Sequence, residues 1–180
     1  MALRDLVSVT IVTYNSGRFM KRCLESVLEQ QYPNIEVVIV DNASTDGTVD
    51  ILEQFADRCR IYYNEDNLGF AAAQNQAIAI GRGDWVLTLN PDVLLNPDCI
   101  SELVEAGNSD SKVGTVCGKL LSIRASFDHL ERQLHVSDGI GLAIPYQLDV
   151  ALVAKQHEAV LFRQWLALLK QGGDVTDFVW

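Results

Sequence analysis

Strand-like and helix-like stretches alternate from Val7 to Cys117. That alternation predicts an α/β chain with a mostly parallel sheet covered by helices on both faces. Three observations carry the prediction. The apolar runs are short, continuous and β-branched, as in strands buried on both sides. Stretches with apolar residues at helical spacing separate them. Polar residues gather just after the runs, at Tyr14-Asn15, Asp41-Asn42 and Asn90 to Asp92. Ligands of such sheets bind beyond the carboxyl ends of the strands, so the site is expected there.

The elements follow in order. Val7–Thr13 (VSVTIVT) is the first buried strand. Phe19, Met20, Cys23, Leu24, Val27 and Leu28 recur at helical spacing after Asn15-Ser16-Gly17, and the helix stops before Tyr32-Pro33-Asn34. Ile35–Val40 is a second strand ending at Asp41, and Asn42 to Thr48 is a loop of turn and cap residues. Val49, Leu52 and Phe55 mark a helix, and Arg60–Asn64 is a short strand. Asn67-Leu68-Gly69 leads into an alanine-rich helix over Phe70–Ile80, with Gly81 as its C′ residue. Trp85–Leu89 is the fourth strand. Asn96-Pro97 opens a helix to about Glu105, with proline at its first position. Val113–Cys117 is a fifth strand. Beyond it, Ala125–Val136 is polar and mixed, and Ser137–Pro145 reads as a loop. Val150–Lys170 reads as one long helix, and Asp174–Trp180 is a tail.

The chain has 180 residues, 48% of them hydrophobic and 21% charged, which fits a well-buried domain and argues against disorder. Its net charge is −10, which repels phosphate backbones and argues against a nucleic-acid partner. A phosphate ligand would then need a metal or backbone amides to neutralise it. The amino terminus has no signal-peptide pattern, and no apolar run is long enough to span a bilayer. The expectation is a cytoplasmic protein. Cys23, Cys59, Cys99 and Cys117 are widely spaced and lie in apolar patterns, so they read as reduced, buried thiols. No phosphate-binding P-loop, dinucleotide fingerprint, nucleophile elbow or zinc-protease motif occurs.

Each candidate has two readings. Thr13-Tyr14-Asn15 edges a nucleotide base, or is a turn with Asn15 or Ser16 as N-cap. Asp41 accepts hydrogen bonds from a base or ribose, or closes an Asx-type turn. Asp46 reads as a helix cap. Asn67 and Asn75 flank Gly69 at a helix start that faces an anion, or serve as cap and solvated helix residue. Asn90-Pro91-Asp92 brings a carboxylate to a metal–diphosphate pair, or is a proline turn. His129, His135 and His157 show no mutual spacing and read as surface residues.

Four segments together resemble the family-2 glycosyltransferases. They are V-T-I-V-T-Y-N-S, I-V-D-N-A-S-T-D-G-T, N-x-G-F-A-A-A-x-N and G-D-W-V-L-T-L-N-P-D, in order and at matching spacing over residues 5–120. The Asn-Pro-Asp form, with Asn-Ala-Ser after Asp41, is most similar to the rhamnosyltransferase-like branch. The resemblance implies the GT-A fold and an inverting transfer from a nucleotide-diphosphate sugar, a UDP- or dTDP-sugar such as dTDP-rhamnose. The acceptor it implies is a saccharide or a lipid-linked acceptor in cell-surface polysaccharide synthesis. It further implies that Thr13, Tyr14, Asn15, Asp41, Asn67, Gly69, Asn75, Asn90 and Asp92 line the donor site. Asp92 stands at the last Asp of the family's D-x-D motif, where Mg²⁺ or Mn²⁺ binds. Asn90 replaces the first, leaving one acid where the motif has two.

On this reading residues 1–125 form the nucleotide-sugar-binding domain, and residues 126–180 a partial acceptor region with a divergent helical tail. The family's acidic general-base motif is not found, and His157-Glu158 lacks its surroundings, so no catalytic base is assigned. Asp128, Glu131 and Asp138 are the fallback bases. The resemblance ends near Gln147, as in a truncated or frame-shifted chain. A nucleotide-sugar-binding remnant without turnover is the main competitor. No transmembrane segment is expected, and peripheral association with the cytosolic face of a membrane stays open.

Overall fold

The computed structural model describes residues 5–110, 113–118 and 152–155. The elements are β1 (Val7–Thr13), α1 (Gly17–Leu28), β2 (Ile35–Asp41), α2 (Thr48–Glu53), β3 (Arg60–Tyr63) and α3 (Phe70–Ile80). They continue with β4 (Trp85–Leu89), α4 (Cys99–Asn108), β5 (Thr115–Cys117) and β6 (Leu152–Lys155). One sheet holds the strands in the order β3-β2-β1-β4-β6-β5. β3, β2, β1 and β4 are parallel neighbours, and β6 runs antiparallel between β4 and β5. The chain winds outward from β1 to β3, then crosses back to β4. The reversal therefore falls between β1 and β4, where α/β sheets open a crevice at their carboxyl ends.

Alternation along the strands separates two cores. Val7, Val9 and Ile11 of β1, with Val37 and Ile39 of β2 and Trp85, Leu87 and Leu89 of β4, pack under α1, α2 and α4. On the other face Val12, Val38 and Val40 meet Ala73 and Ala77 of α3. Those alanines let α3 lie close to the sheet. A buried polar pair also joins them: Gln74 Nε2 donates to Thr10 Oγ1 (2.6 Å), which donates to the Leu87 carbonyl (3.2 Å). At the amino-terminal edge Glu36 gathers Ser8, Arg60 and Arg82. Its Oε1 accepts from Ser8 Oγ (2.6 Å), and its Oε2 pairs with both arginines at 3.1 and 3.0 Å.

Three expectations need correction. Gly81 follows α3 with φ −61 and ψ 142, not in the left-handed conformation of a C′ glycine. Glycine is required there for space, because a Cβ would lie 2.9 Å from Ser8 Oγ. α4 begins at Cys99 with Asp98 as N-cap, so Pro97 precedes the helix instead of opening it, and the helix runs on to Asn108. Residues Leu152–Lys155, expected at the start of a long helix, form β6 instead. Their pairing with β4 and β5 supplies backbone hydrogen bonds that outweigh local helical spacing. The rest of the Val150–Lys170 stretch, Ala125–Val136, Ser137–Pro145 and Asp174–Trp180 lie outside the described residues.

Cys23 and Cys59 are buried free thiols, and Cys99 is a half-buried one. Burial, reinforced by the Asp92 charge, pushes Cys23 up to about 12. Burial raises Cys59 to about 11, and it raises Cys99 as well. Among the described residues no helix is long and apolar enough to cross a membrane.

Candidate active site

Three polar side chains end β1, β2 and β3 side by side. Thr13 pairs in register with Asp41, and Asp41 with Tyr63. Thr13 and Asp41 are buried, whereas Tyr63 is half-exposed. Asp41 divides its carboxylate between two tasks. Oδ2 accepts the Ser44 amide at 2.9 Å, which closes the expected Asx-type turn. Oδ1 is buried and has no partner among the described residues, and the same holds for Thr13 Oγ1. Two orphaned buried oxygens in one row are costly unless a ligand satisfies them. Burial, then the charges of Glu53 and Asp41, raises the Tyr63 phenol.

Asn42 ties this row to the next loop. Its Oδ1 accepts from Asn64 Nδ2 (3.1 Å) and the Leu68 amide (3.0 Å). Its Nδ2 donates to Asn67 Oδ1 (2.7 Å), which also accepts the Gly69 amide (2.9 Å). Asn67 is thus a structural clasp. Gly69 caps α3 at φ +81, a backbone conformation that side chains with a Cβ rarely adopt. Asn75 is half-buried and its Oδ1 is buried without a partner among the described residues, so it is not a solvated helix residue.

The entry to α1 is held from a distance. The amides of Asn15, Ser16 and Gly17 donate in turn to Ser44 Oγ (2.9 Å), Thr48 Oγ1 (2.9 Å) and Asp46 Oδ2 (3.1 Å). Asn15 takes φ +50, and its Oδ1 accepts the Thr45 amide at 2.8 Å. Ser16 is the N-cap residue but makes no side-chain cap bond. Asp46, expected as a cap, does that work for α1. Its Oδ1 also accepts from the Thr48 hydroxyl and amide. The Thr48 hydroxyl first, with the amides of Gly17 and Thr48, outweighs desolvation and holds its carboxyl below the usual range. A carboxylate already occupies the positive pole of α1, so these amides are not available to a phosphate.

Between the carboxyl ends of β1 and β4 lies a cleft of about 280 Å³, lined by Val12, Asn15, Ser16, Phe19, Phe70, Asn90, Pro91 and Asp92. Asn90 to Val93 is a proline turn closed by the Val93 amide on the Asn90 carbonyl (3.2 Å). The Cys23 thiol donates to the same carbonyl from below (3.7 Å). The expected proline turn is thus present, and Asp92 within it lines the cleft. Among the described residues no three His, Cys, Asp or Glu side chains gather into a metal cage. A single carboxylate beside Asn90 suits an ion that takes its remaining ligands from phosphate oxygens and water.

The structure therefore joins Asn15, Asn90 and Asp92 in one cleft. Thr13 and Asp41 form a row on the same strand edge, and Asn67 and Gly69 shape the adjoining turn. Tyr14 follows β1 half-exposed but does not line the cleft. Sequence reasoning missed Phe19, Phe70 and Tyr63, which are exposed at 44%, 50% and 48%. Phe19 and Phe70 stand at the starts of helices within apolar patterns and read as core. Asp128, His129, Glu131, His135, Asp138, His157 and Glu158 lie outside the described residues.

The chain resembles known proteins in sequence and in fold. It is 31% identical over 186 residues to the putative teichuronic acid biosynthesis glycosyltransferase TuaG of Bacillus subtilis, covering 94% of this chain and 74% of that one. It is 30% identical over 118 residues to glycosyltransferase GlyG of Streptococcus pneumoniae, covering 62% of this chain but only 39% of that relative. Among solved structures, the mannosyltransferase PcManGT of Pyrobaculum calidifontis, in complex with GDP-Man and Mn²⁺, aligns with a TM-score of 0.59 at 31% identity. That alignment covers 63% of this chain and 35% of PcManGT, and it bears out the expected GT-A fold. The family match runs over residues 8–166, past Gln147 where the resemblance was expected to end. The carboxyl-terminal part is thus not foreign sequence through residue 166. With a match over most of its length, the chain belongs to glycosyl transferase family 2.

Proposed function

We propose that this chain binds a nucleotide-diphosphate sugar and transfers the sugar, with inversion, to a saccharide or lipid-linked acceptor in cell-surface polysaccharide synthesis. The observation that carries the proposal is the buried Asp41 Oδ1, unpartnered among the described residues like Thr13 Oγ1 of the residue in register with it, at the same carboxyl end of the sheet as the Asp92 cleft. An acceptor oxygen fixed in place selects a base N–H, and the Thr13 hydroxyl serves a base or ribose oxygen. Tyr63, in register with Asp41, and Tyr14, which follows Thr13, are both half-exposed and offer aromatic surface at these strand ends. The diphosphate then extends along the β1 end toward Asn15 and Asp92.

Asp92 and Asn90 would hold a divalent cation, Mg²⁺ or Mn²⁺, together with the donor's phosphate oxygens. The Mn²⁺ in the PcManGT complex supports this. Such an ion supplies Lewis-acid neutralisation of the leaving diphosphate. The chain's own part is to fix the base, align the diphosphate and exclude water with Phe19 and Phe70. The reaction is placed in the cytoplasm, with the membrane face left to the acceptor. The Asn90-Pro91-Asp92 form motivates dTDP-rhamnose as one donor to test. Residues 1–125 form the donor-binding part on this reading, and the base that accepts the acceptor proton comes from outside the described residues.

The test is thermal unfolding with UDP, dTDP or GDP, with and without Mn²⁺. Ligand at about a hundred times its Kd should add roughly 2.7 kcal/mol. Asp92→Ala should remove the metal-dependent part and leave the fold intact, since Asp92 sits on a surface turn. No shift with any of the three nucleotides would sink the donor-site reading. Nucleotide binding without sugar transfer would favour the remnant reading.

A further inference from the structure

We infer that Arg18 binds the diphosphate of the donor, as a cation held beside the cleft for that purpose. The inference rests on the nucleotide-sugar reading above and assigns one more residue to that site. Among the described residues, a diphosphate entering this cleft meets a lining with one carboxylate, Asp92, and no cationic side chain. The whole chain carries a net charge of −10. The amides of Asn15, Ser16 and Gly17, where a doubly wound fold often seats phosphate, already donate to Ser44, Thr48 and Asp46. An Asp46 carboxylate at the start of α1 repels a further anion.

The other cations within the described residues are placed elsewhere. Arg60 and Arg82 pair with Glu36 at the opposite edge of the sheet. Arg58 donates to the Leu28 carbonyl (3.4 Å), Lys21 pairs with Glu25 (3.9 Å), and Lys155 stands in register with Trp85 at the start of β4, away from the carboxyl ends of the strands. Arg18 and Arg22 remain on the exposed side of α1. Arg18 directly precedes the cleft residue Phe19, and its guanidinium carbon lies 5.4 Å from the centre of the Phe19 ring. Arg22 is one helical turn further along α1, about 6 Å from Arg18 along the axis.

The Phe19 ring restricts the long, flexible Arg18 side chain to the rim of the cleft, which lowers the ordering cost of binding. A cation over the ring keeps its charge, and the guanidinium N–H fork matches two phosphate oxygens. Among the described residues Arg18 makes no ion pair that would compete. The exposed Phe19 thus acquires a role that core packing does not give it.

The experiment compares each nucleoside diphosphate (UDP, dTDP and GDP) with its nucleoside by calorimetry, with and without Mn²⁺. The proteins are wild type, Arg18→Ala, Arg18→Lys and Arg22→Ala. Arg18→Ala should weaken the diphosphate about tenfold, the usual scale of a charge-assisted contact at a partly exposed site, and leave the nucleoside unchanged. Arg18→Lys should recover part of the loss, because a point charge replaces the fork. Arg22→Ala removes the same charge from the same helix and should change affinity less than about twofold, because an exposed charge a turn further off makes no direct contact and acts only through high-dielectric solvent. Equal losses in Arg18→Ala and Arg22→Ala, or none in Arg18→Ala, would overturn the inference while leaving the donor site standing. A wild-type chain that binds no diphosphate would overturn the nucleotide-sugar reading, and this inference with it.

Discussion

Replacing Asp46 by alanine should loosen the whole entrance to the donor site, and the size of the loss follows from its bonds. The carboxylate accepts from the Gly17 amide at 3.1 Å, from the Thr48 amide at 3.1 Å and from the Thr48 hydroxyl. It therefore caps α1 and braces the start of α2 with one group. A lost N-cap costs about 1 kcal/mol, and bracing two helix starts brings the expected loss to about 1–2 kcal/mol, kept low because the group is exposed. Hydrogen bonding holds this carboxyl below its ordinary value of 3.8, so its contribution is present above that value. It disappears as the pH falls through the folded-state value, where the carboxyl protonates in the native chain too. Urea unfolding of wild type and Asp46→Ala at pH 7 and at successively lower pH measures this. The difference should be full at pH 7 and should shrink as the pH drops below 3.8. A difference below about 0.3 kcal/mol at pH 7, or one that stays constant down the pH series, would refute the reasoning.

Two further outcomes follow from the packing. Gly107→Ala places a Cβ 2.4 Å from the Trp85 indole, itself buried under α4. The overlap should cost about 1–3 kcal/mol in chemical unfolding despite alanine's better helix propensity, and a stabilised variant would show that α4 moves freely away from the sheet. Cys23 and Cys59, raised to about 12 and about 11, should resist a thiol reagent at pH 8 in the native chain and react on unfolding. Rapid native labelling of Cys23 would mean that the Asn90 turn opens.

Much of the fold is legible because β1, β2 and β4 are apolar runs that can only be buried, with turn residues at their ends. The part that is not legible depends on partners far away in sequence. Leu152–Lys155 is a strand only because β4 and β5 pair with it. Gly81 is glycine because of Ser8, across the sheet. The site divides in the same way. Asp41 and Asp92 stand out in the sequence because one ends an apolar strand and the other lies in the turn just after one. That Asp41 gives one oxygen to a turn and keeps the other unpartnered among the described residues emerges only from the folded chain. That Asp46 occupies the pole of a helix nearly thirty residues earlier also emerges only there. Phe19, Phe70 and Tyr63 escape notice because an apolar pattern does not reveal which of its members the fold leaves exposed.

The most direct test of the donor site is a crystal structure of the chain with a bound nucleoside diphosphate and Mn²⁺. The account predicts a base N–H within hydrogen-bond distance of Asp41 Oδ1, the Thr13 hydroxyl on the base or ribose, and the diphosphate beside Asp92. A nucleotide seated elsewhere, with Asp41 Oδ1 still unpartnered, would contradict it.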